Sequence, residues 1–428
     1  MYQAVAYHKN SNTVHVWDDK KGHLQIKYRP YAYKKSSYGK LVALDGQQVE
    51  KVYGHDQHDS SLYEADLNPE VRTLIDMYTE SDDASVGHKT LFIDIEVDIS
   101  TGFPTPEEAQ NPITSIAIYD EAGDHRSVWI LDKEGVVQDK HSRKYSISSC
   151  SDENTLLARF LNSYQEIQPT IITGWNIDFF DIPYLYNRMV QVLGESRART
   201  LSPINDVIWL KHRNRYRISG VSCLDYMALY KNFTYNQESS YSLEAISQKE
   251  LGKGKLKYEG SLNDLMRDDI QGYIDYNMND VDLVYEIDQK MKLIDLARSI
   301  CHKGHVPYED FLFPTRYLDG AALVYLKRLN IVAPSKKPRS EERLNLLGAF
   351  VKSPNPGRYK WVYDLDLTSL YPSIIMTLNI SPETKVTKLQ SFDGHTYIKN
   401  KGTHYTDDWN GWETAQDLRD YLEKNKYS

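Results

Sequence analysis

At 428 residues, with 40% hydrophobic and 26% charged side chains, the chain has room for roughly two to four domains, which excludes a small stapled scaffold. Its three cysteines, Cys150, Cys223 and Cys301, are too scattered for a metal or disulfide pattern; no apolar run is long enough to cross a bilayer and no leader opens the chain, so a reducing cytoplasm without membrane attachment is expected. A net charge of -9, from 51 basic and 60 acidic residues, weighs weakly against a polyanionic partner, although the placement of charge matters more than its sum.

Residues 4–8, 14–17 and 25–29 have strand character, 68–78 reads as a helix and 81–88 as a linker. A new domain opens at 90–97, a β-branched run with the character of a buried strand that nevertheless contains two acids. Strands at 114–119, 127–131 and 170–173 alternate with helices at 153–166 and 183–192, which predicts an α/β domain with a mixed sheet. The pattern is helical over 270–300 and again over 318–329, a third unit opens near Leu346, and within it 360–365 reads as a strand and 413–425 as a helix.

Asp94 and Glu96 stand two apart on their strand, so both carboxylates leave the same face. Two anions in an apolar setting call for a divalent cation, though a solvated acidic edge would show the same spacing. Asp181 follows a strand and a turn and precedes Ile182-Pro183, which suits an N-cap whatever else it does. Tyr276 and Asp280 are four apart on a helix and share one face. Four carboxylates and a tyrosine in one α/β domain suit two-metal phosphodiester hydrolysis, with the tyrosine orienting the water. Asp178 reads as solvated. Between strand-like ends, 207–218 carries a basic tip with Lys211, His212, Arg213, Arg215 and Arg217, able to grip phosphates with Trp209 and Tyr216 available for stacking, or simply solvated.

The segments IDIE at 93–96, NIDFFD at 176–181 and YNMND at 276–280 resemble the three exonuclease motifs of the tyrosine-type 3′–5′ exonucleases of family B DNA polymerases. DLTSLYPS at 366–373 is similar to that family's first palm motif, GAFV at 348–351 to the segment joining exonuclease and palm, and the stretches 173–188 and 241–256 to the T-even phage branch. The resemblance implies an α/β multidomain chain: a mostly β N-terminal domain (1–88, completed by 301–343), a ribonuclease H-like exonuclease domain (89–300) and a partial α+β palm (344–428). It implies two Mg2+ or Mn2+ ions, with Asp94 bridging both, Glu96 and Asp280 at the ion that activates water, Asp181 at the second, and Tyr276 positioning the nucleophile. In the palm it implies Asp366 as a metal ligand, with Leu367, Ser369, Leu370 and Tyr371 around the incoming nucleotide. Lys211, Arg213, Arg215, Arg217 and Gly348 would then meet DNA, the hairpin helping to part the primer end from its template.

The family's fingers motif Lys-x-x-x-Asn-Ser-x-Tyr-Gly and its second palm motif Asp-Thr-Asp-Ser do not occur in the sequence. Three readings stay open. One is the amino-terminal part of a phage replicative polymerase, acting in the infected cell's cytoplasm, whose fingers, remaining palm and thumb come from a second polypeptide that also reaches a sliding clamp. The others are a free-standing 3′–5′ DNA exonuclease and a non-catalytic DNA-binding assembly module.

Overall fold

In the computed structural model, the eight residues Thr90–Val97 form an inner strand of a seven-stranded sheet, with neighbours on both sides. Their period of two sorts the strand into two environments. Leu91, Ile93, Ile95 and Val97 enter one apolar core, which they share with Leu156, Leu157 and Phe160 of the helix Glu153–Ile167 and with Tyr184 and Leu185 of the helix Asp181–Leu193. Phe92 enters the opposite core, with Tyr273, Ile274 and Val281 of the long helix Ile270–Met291. Asp94 and Glu96 follow Phe92 on that second face.

The described residues are 1–54, 59, 61–235, 237–336 and 351–380, together with the strands Leu389–Phe392 and Tyr397–Lys399. They fall into two units, Met1–Ser340 and Glu341–Ser428. In the first unit the sheet order is Lys140–His141, Tyr145–Cys150, His125–Leu131, Ile113–Asp120, Thr90–Val97, Ile171–Gly174 and Ser222–Asp225. Ile113–Asp120 lies antiparallel to Thr90–Val97 and Ile171–Gly174 parallel to it, so the predicted mixed sheet forms. Gly174 ends its strand against the Ile93 carbonyl oxygen and the Ile177 side chain, where no Cβ would fit. That close approach brings the turn that follows it up to the acidic face.

Local signals explain the helix starts. Pro69 opens the helix Pro69–Tyr78, with the Asn68 side chain accepting from the Glu70 N–H. Pro314 likewise opens Pro314–Arg328, which begins earlier than the predicted 318. Two further sheets lie at the start of the chain: Tyr2–His8, Thr13–Asp18 and Gly22–Lys27 form one, and Tyr31–Lys35, Leu41–Ala43 and Gln48–Tyr53 contribute to the other. The second is joined by Ile331–Val332, parallel to Leu41–Ala43. In the second unit the helix Leu370–Thr377 forms, but the predicted strand at 360–365 does not. A strand needs a neighbour to satisfy its backbone, and among the described residues none pairs with it. Gly348 and the predicted helix at 413–425 lie outside the described residues.

Candidate active site

The acidic face of the strand Thr90–Val97 meets the helix Ile270–Met291, and there the separated motifs come together. Carboxylate oxygens of Asp94, Glu96 and Asp280 all lie within 4.8 Å of one another. Asp181 adds a fourth acid from the other side, its Oδ1 accepting the Ile95 N–H at 3.1 Å, between the two strand acids. The expectation that Asp181 caps its helix is corrected by this contact. Phe180 holds the cap position, and Asp181 is the first helical residue with its carboxylate turned to the strand.

Asn277 fixes Asp94. Its Nδ2 donates to Asp94 Oδ2 at 2.7 Å, and its Oδ1 accepts from Ser115 Oγ at 2.7 Å. Ser115 stands opposite Glu96 on the neighbouring strand, so the ladder itself sets this chain of contacts. Lys255 closes the other end, with Nζ at 2.5 Å from Asp280 Oδ2 and 3.1 Å from the Tyr276 hydroxyl. The Tyr276 ring takes the edge of Tyr258 at 5.3 Å and 89°. Sequence reasoning missed Lys255, Asn277 and Ser115. Asn277 lies inside the YNMND segment, but no periodicity marks Lys255, which reaches Asp280 from outside any helix or strand.

The electrostatics describe a site short of positive charge. Burial, with Asp280, Asp181 and Glu96 adding to it, raises the Asp94 carboxyl well above its ordinary range. Glu96 is pushed up to about 8 by burial and Asp280, and Asp181 to about 7, where burial outweighs the Ile95 N–H. Burial also raises Asp280 against the pull of Lys255. Burial works against the Lys255 ammonium, but Asp280 and Tyr276 outweigh it and hold that group charged. One oxygen of buried Asp280, Oδ1, has no hydrogen-bond partner. A set of hard carboxylate oxygens, one of them orphaned, fits Mg2+ or Mn2+ and does not suit a soft metal.

A pH effect follows. A carboxylate with a raised folded pKa keeps a proton that the unfolded chain has released, so the metal-free fold loses stability as pH rises from about 4 to about 8. His88 and His302, held down to about 3 by burial, act in the opposite sense below about pH 6.5. The comparison is therefore made with and without cation. Melting with Mn2+ and with a chelator is expected to show a stabilising shift that is small near pH 5 and largest near pH 8. An equal shift at both pH values would contradict the assignment.

The basic tip differs from its expected free state. The two-stranded hairpin Val207–Leu210 and Arg215–Ile218 forms, and Lys211 and His212 are exposed. Arg213 instead pairs with Asp310 at 2.9 Å, Arg217 with Glu70 at 3.0 Å and Arg215 with Asp178 at 2.6 Å. Asp178, expected to be solvated, is 4% exposed, because Arg215 reaches it from the hairpin. In the second unit Asp366, Leu367, Ser369, Leu370 and Tyr371 are all exposed, and Ser369 has a positive φ of 54° just before the helix. Among the described residues no carboxylate cluster includes Asp366.

The profile described as DNA polymerase family B, exonuclease domain, matches residues 49–246, and that described as DNA polymerase family B matches 319–409. The first match takes in Asp94, Glu96 and Asp181, while the geometry adds Tyr276 and Asp280; the second takes in the segment from Asp366 to Tyr371. The DNA-directed DNA polymerase of Escherichia phage RB69 is 37% identical over 332 residues, covering 71% of this chain and 36% of that protein. That of Enterobacteria phage T4 is 34% identical over 352 residues, covering 74% and 39%. DNA polymerase II of Escherichia coli (strain K12) is 25% identical over 364 residues, covering 75% and 43%. The matched part thus covers less than half the length of each of these relatives.

Proposed function

Because the chain belongs to the family B DNA polymerases, we propose that residues 89–300 act as a 3′–5′ exonuclease on DNA with two bound Mg2+ or Mn2+ ions. The observation that supports this most is the meeting of Asp94, Glu96 and Asp280 within 4.8 Å, with a buried Asp280 oxygen unpartnered. When bound, the cations supply a lowered pKa for water and neutralise charge at the phosphate and the departing oxygen. Asp94 would serve both ions, Glu96 and Asp280 would serve the water side, and Asp181 would serve the leaving side. The Tyr276 hydroxyl, its pKa raised by burial and by Asp280, keeps its proton at neutral pH and can orient the water by hydrogen bonding. The water oxygen joins phosphorus, the bond from phosphorus to the preceding O3′ breaks, that oxygen takes a proton, and a 5′-mononucleotide leaves. The test is a 5′-labelled single strand in Mg2+. Stepwise shortening from the 3′ end, abolished by chelator, is expected; cleavage that persists in chelator would refute the reading.

The exposed hairpin tip serves paired ends in this proposal, because a wedge matters only where strands part. Substituting Lys211→Ala, Arg213→Gln and Arg217→Gln together is expected to slow digestion of a paired 3′ end several-fold more than that of a free one. Equal slowing would reduce the hairpin to a general phosphate contact.

The second match and the segment 366–373 favour a further role. We propose that 344–428 is the first palm segment, with Asp366 as a metal ligand of nucleotide transfer. Leu367, Ser369 and Leu370 line the triphosphate, Tyr371 lies against the sugar, and Gly348 approaches the DNA. Residues 1–88 with 301–343 form the N-terminal domain. A second polypeptide bearing fingers, remaining palm and thumb completes synthesis in phage DNA replication and gives access to a sliding clamp. The setting is the cytoplasm of the infected cell. No helix among the described residues is long and apolar enough to cross a membrane.

A further inference from the structure

Among the described residues the hairpin at 207–218 pairs with no other strand, so beyond its base side chains do most of the seating. Two of its tethers run to the segment that carries Asp181, one on each side of that residue. Before it, Arg215 Nη1 donates to Asp178 Oδ2 at 2.6 Å, with side chains only 6% and 5% exposed. After it, the Tyr216 hydroxyl donates to Asn187 Oδ1 at 2.7 Å, and the Tyr216 ring packs on Tyr186 at 4.7 Å, both partners lying on the helix Asp181–Leu193. The turn between is also held by its own backbone bonds to Asn176 and Ile177 and by Asp225, whose carboxylate accepts the N–H groups of Asn176 at 3.3 Å and Asp178 at 3.2 Å. Asn176 itself takes a positive φ of 66°.

A buried ion pair is a poor way to gain stability, since apolar residues of the same volume usually do as well. Its use lies in fixing one geometry. Here that geometry is the turn from which Asp181 points at the Ile95 N–H. We propose that Arg215 and Asp178 form a positioning pair that transmits the seating of the hairpin to Asp181 and so to the second metal position. The proposal rests on the exonuclease reading and deepens it. Arg215 then acts through Asp178 on the placement of a ligand, and the phosphate contacts of the tip fall to Lys211 and to the more open Arg213 and Arg217.

The test is the double variant Asp178→Leu with Arg215→Met in the full chain, which removes both charges and leaves neither buried alone. It is read by melting temperature, by Mn2+ affinity from titration calorimetry, and by kcat and KM on a free single strand. The expected result is a melting temperature near wild type, Mn2+ binding weaker by about 10- to 100-fold and kcat lower by a similar factor, with KM little changed. Wild-type Mn2+ affinity and kcat in the folded variant would overturn the proposal. So would a rise in KM alone with kcat unchanged, which would return Arg215 to the DNA contacts. Should the double variant fail to fold, Arg215→Gln, which keeps a donor and loses the charge, is read by the same measurements, and wild-type values there overturn the proposal equally. Wild-type protein that binds Mn2+ but degrades no DNA would sink the exonuclease reading instead, and the metal titration would still decide the pairing.

Discussion

Asp94→Ala is expected to lower the rate of 3′–5′ digestion about a thousandfold or more, because it removes the acid that stands among all the others. The same substitution takes one anion out of a crowded buried cluster, so the metal-free protein is expected to melt no lower than wild type, less whatever the freed Asn277 amide costs. The two effects have opposite signs. A variant that is inactive and unfolded would say nothing about chemistry, whereas an inactive variant with a wild-type melting curve isolates it. Digestion in Mg2+ at similar rates by both proteins would dismiss the metal site altogether. Tyr276→Phe should weaken the reaction less, since it leaves every carboxylate in place.

Primer extension is the second large effect. The chain by itself is expected to add no nucleotides, and to extend a primer only once mixed with a polypeptide that carries fingers, the rest of the palm and thumb. Two cations at a polymerase centre need more than one carboxylate, and Asp366 stands in no cluster among the described residues. Around it, Leu367, Tyr371, Ile375 and Met376 are 67%, 70%, 49% and 74% exposed. Apolar surface of that extent marks a face to be covered. The assay supplies all four deoxynucleotides and a primed template, with and without the added polypeptide, and Asp366→Ala is expected to abolish the restored synthesis. Extension by the lone chain would refute the idea of an incomplete centre. Failure of every such polypeptide to bind or restore synthesis would leave the exonuclease as its own activity.

Much of the site was legible because it depends on short-range periodicity. The alternation of 90–97 places Asp94 and Glu96 on one face in any strand, and the four-residue step from Tyr276 to Asp280 does the same in any helix. Long-range pairing was not legible. Asp178 looked solvated because nothing near it in sequence announces Arg215, and the hairpin tip looked like free positive charge because counting cations does not reveal that Asp310 and Glu70 already face them. Lys255 escaped for the same reason. The strand predicted at 360–365 fails for the converse reason: strand-like composition makes no strand where no partner pairs with it among the described residues.

The strand Ile331–Val332 beside Leu41–Ala43 has a consequence for the order in which the protein can be made. The Tyr2 hydroxyl, fully buried, likewise donates to the carbonyls of Cys301 at 2.9 Å and Val306 at 2.7 Å. On a ribosome these partners emerge long after Tyr2 and Leu41–Ala43. At ordinary elongation speeds the edge at Leu41–Ala43 waits roughly a quarter of a minute to a minute for its neighbour, while the seven-stranded sheet, complete by Asp225, has every strand it needs. The sheet can therefore pair before Ile331 is made. Loop closure that would burden an unstructured chain is shortened once the residues between the two strands have folded.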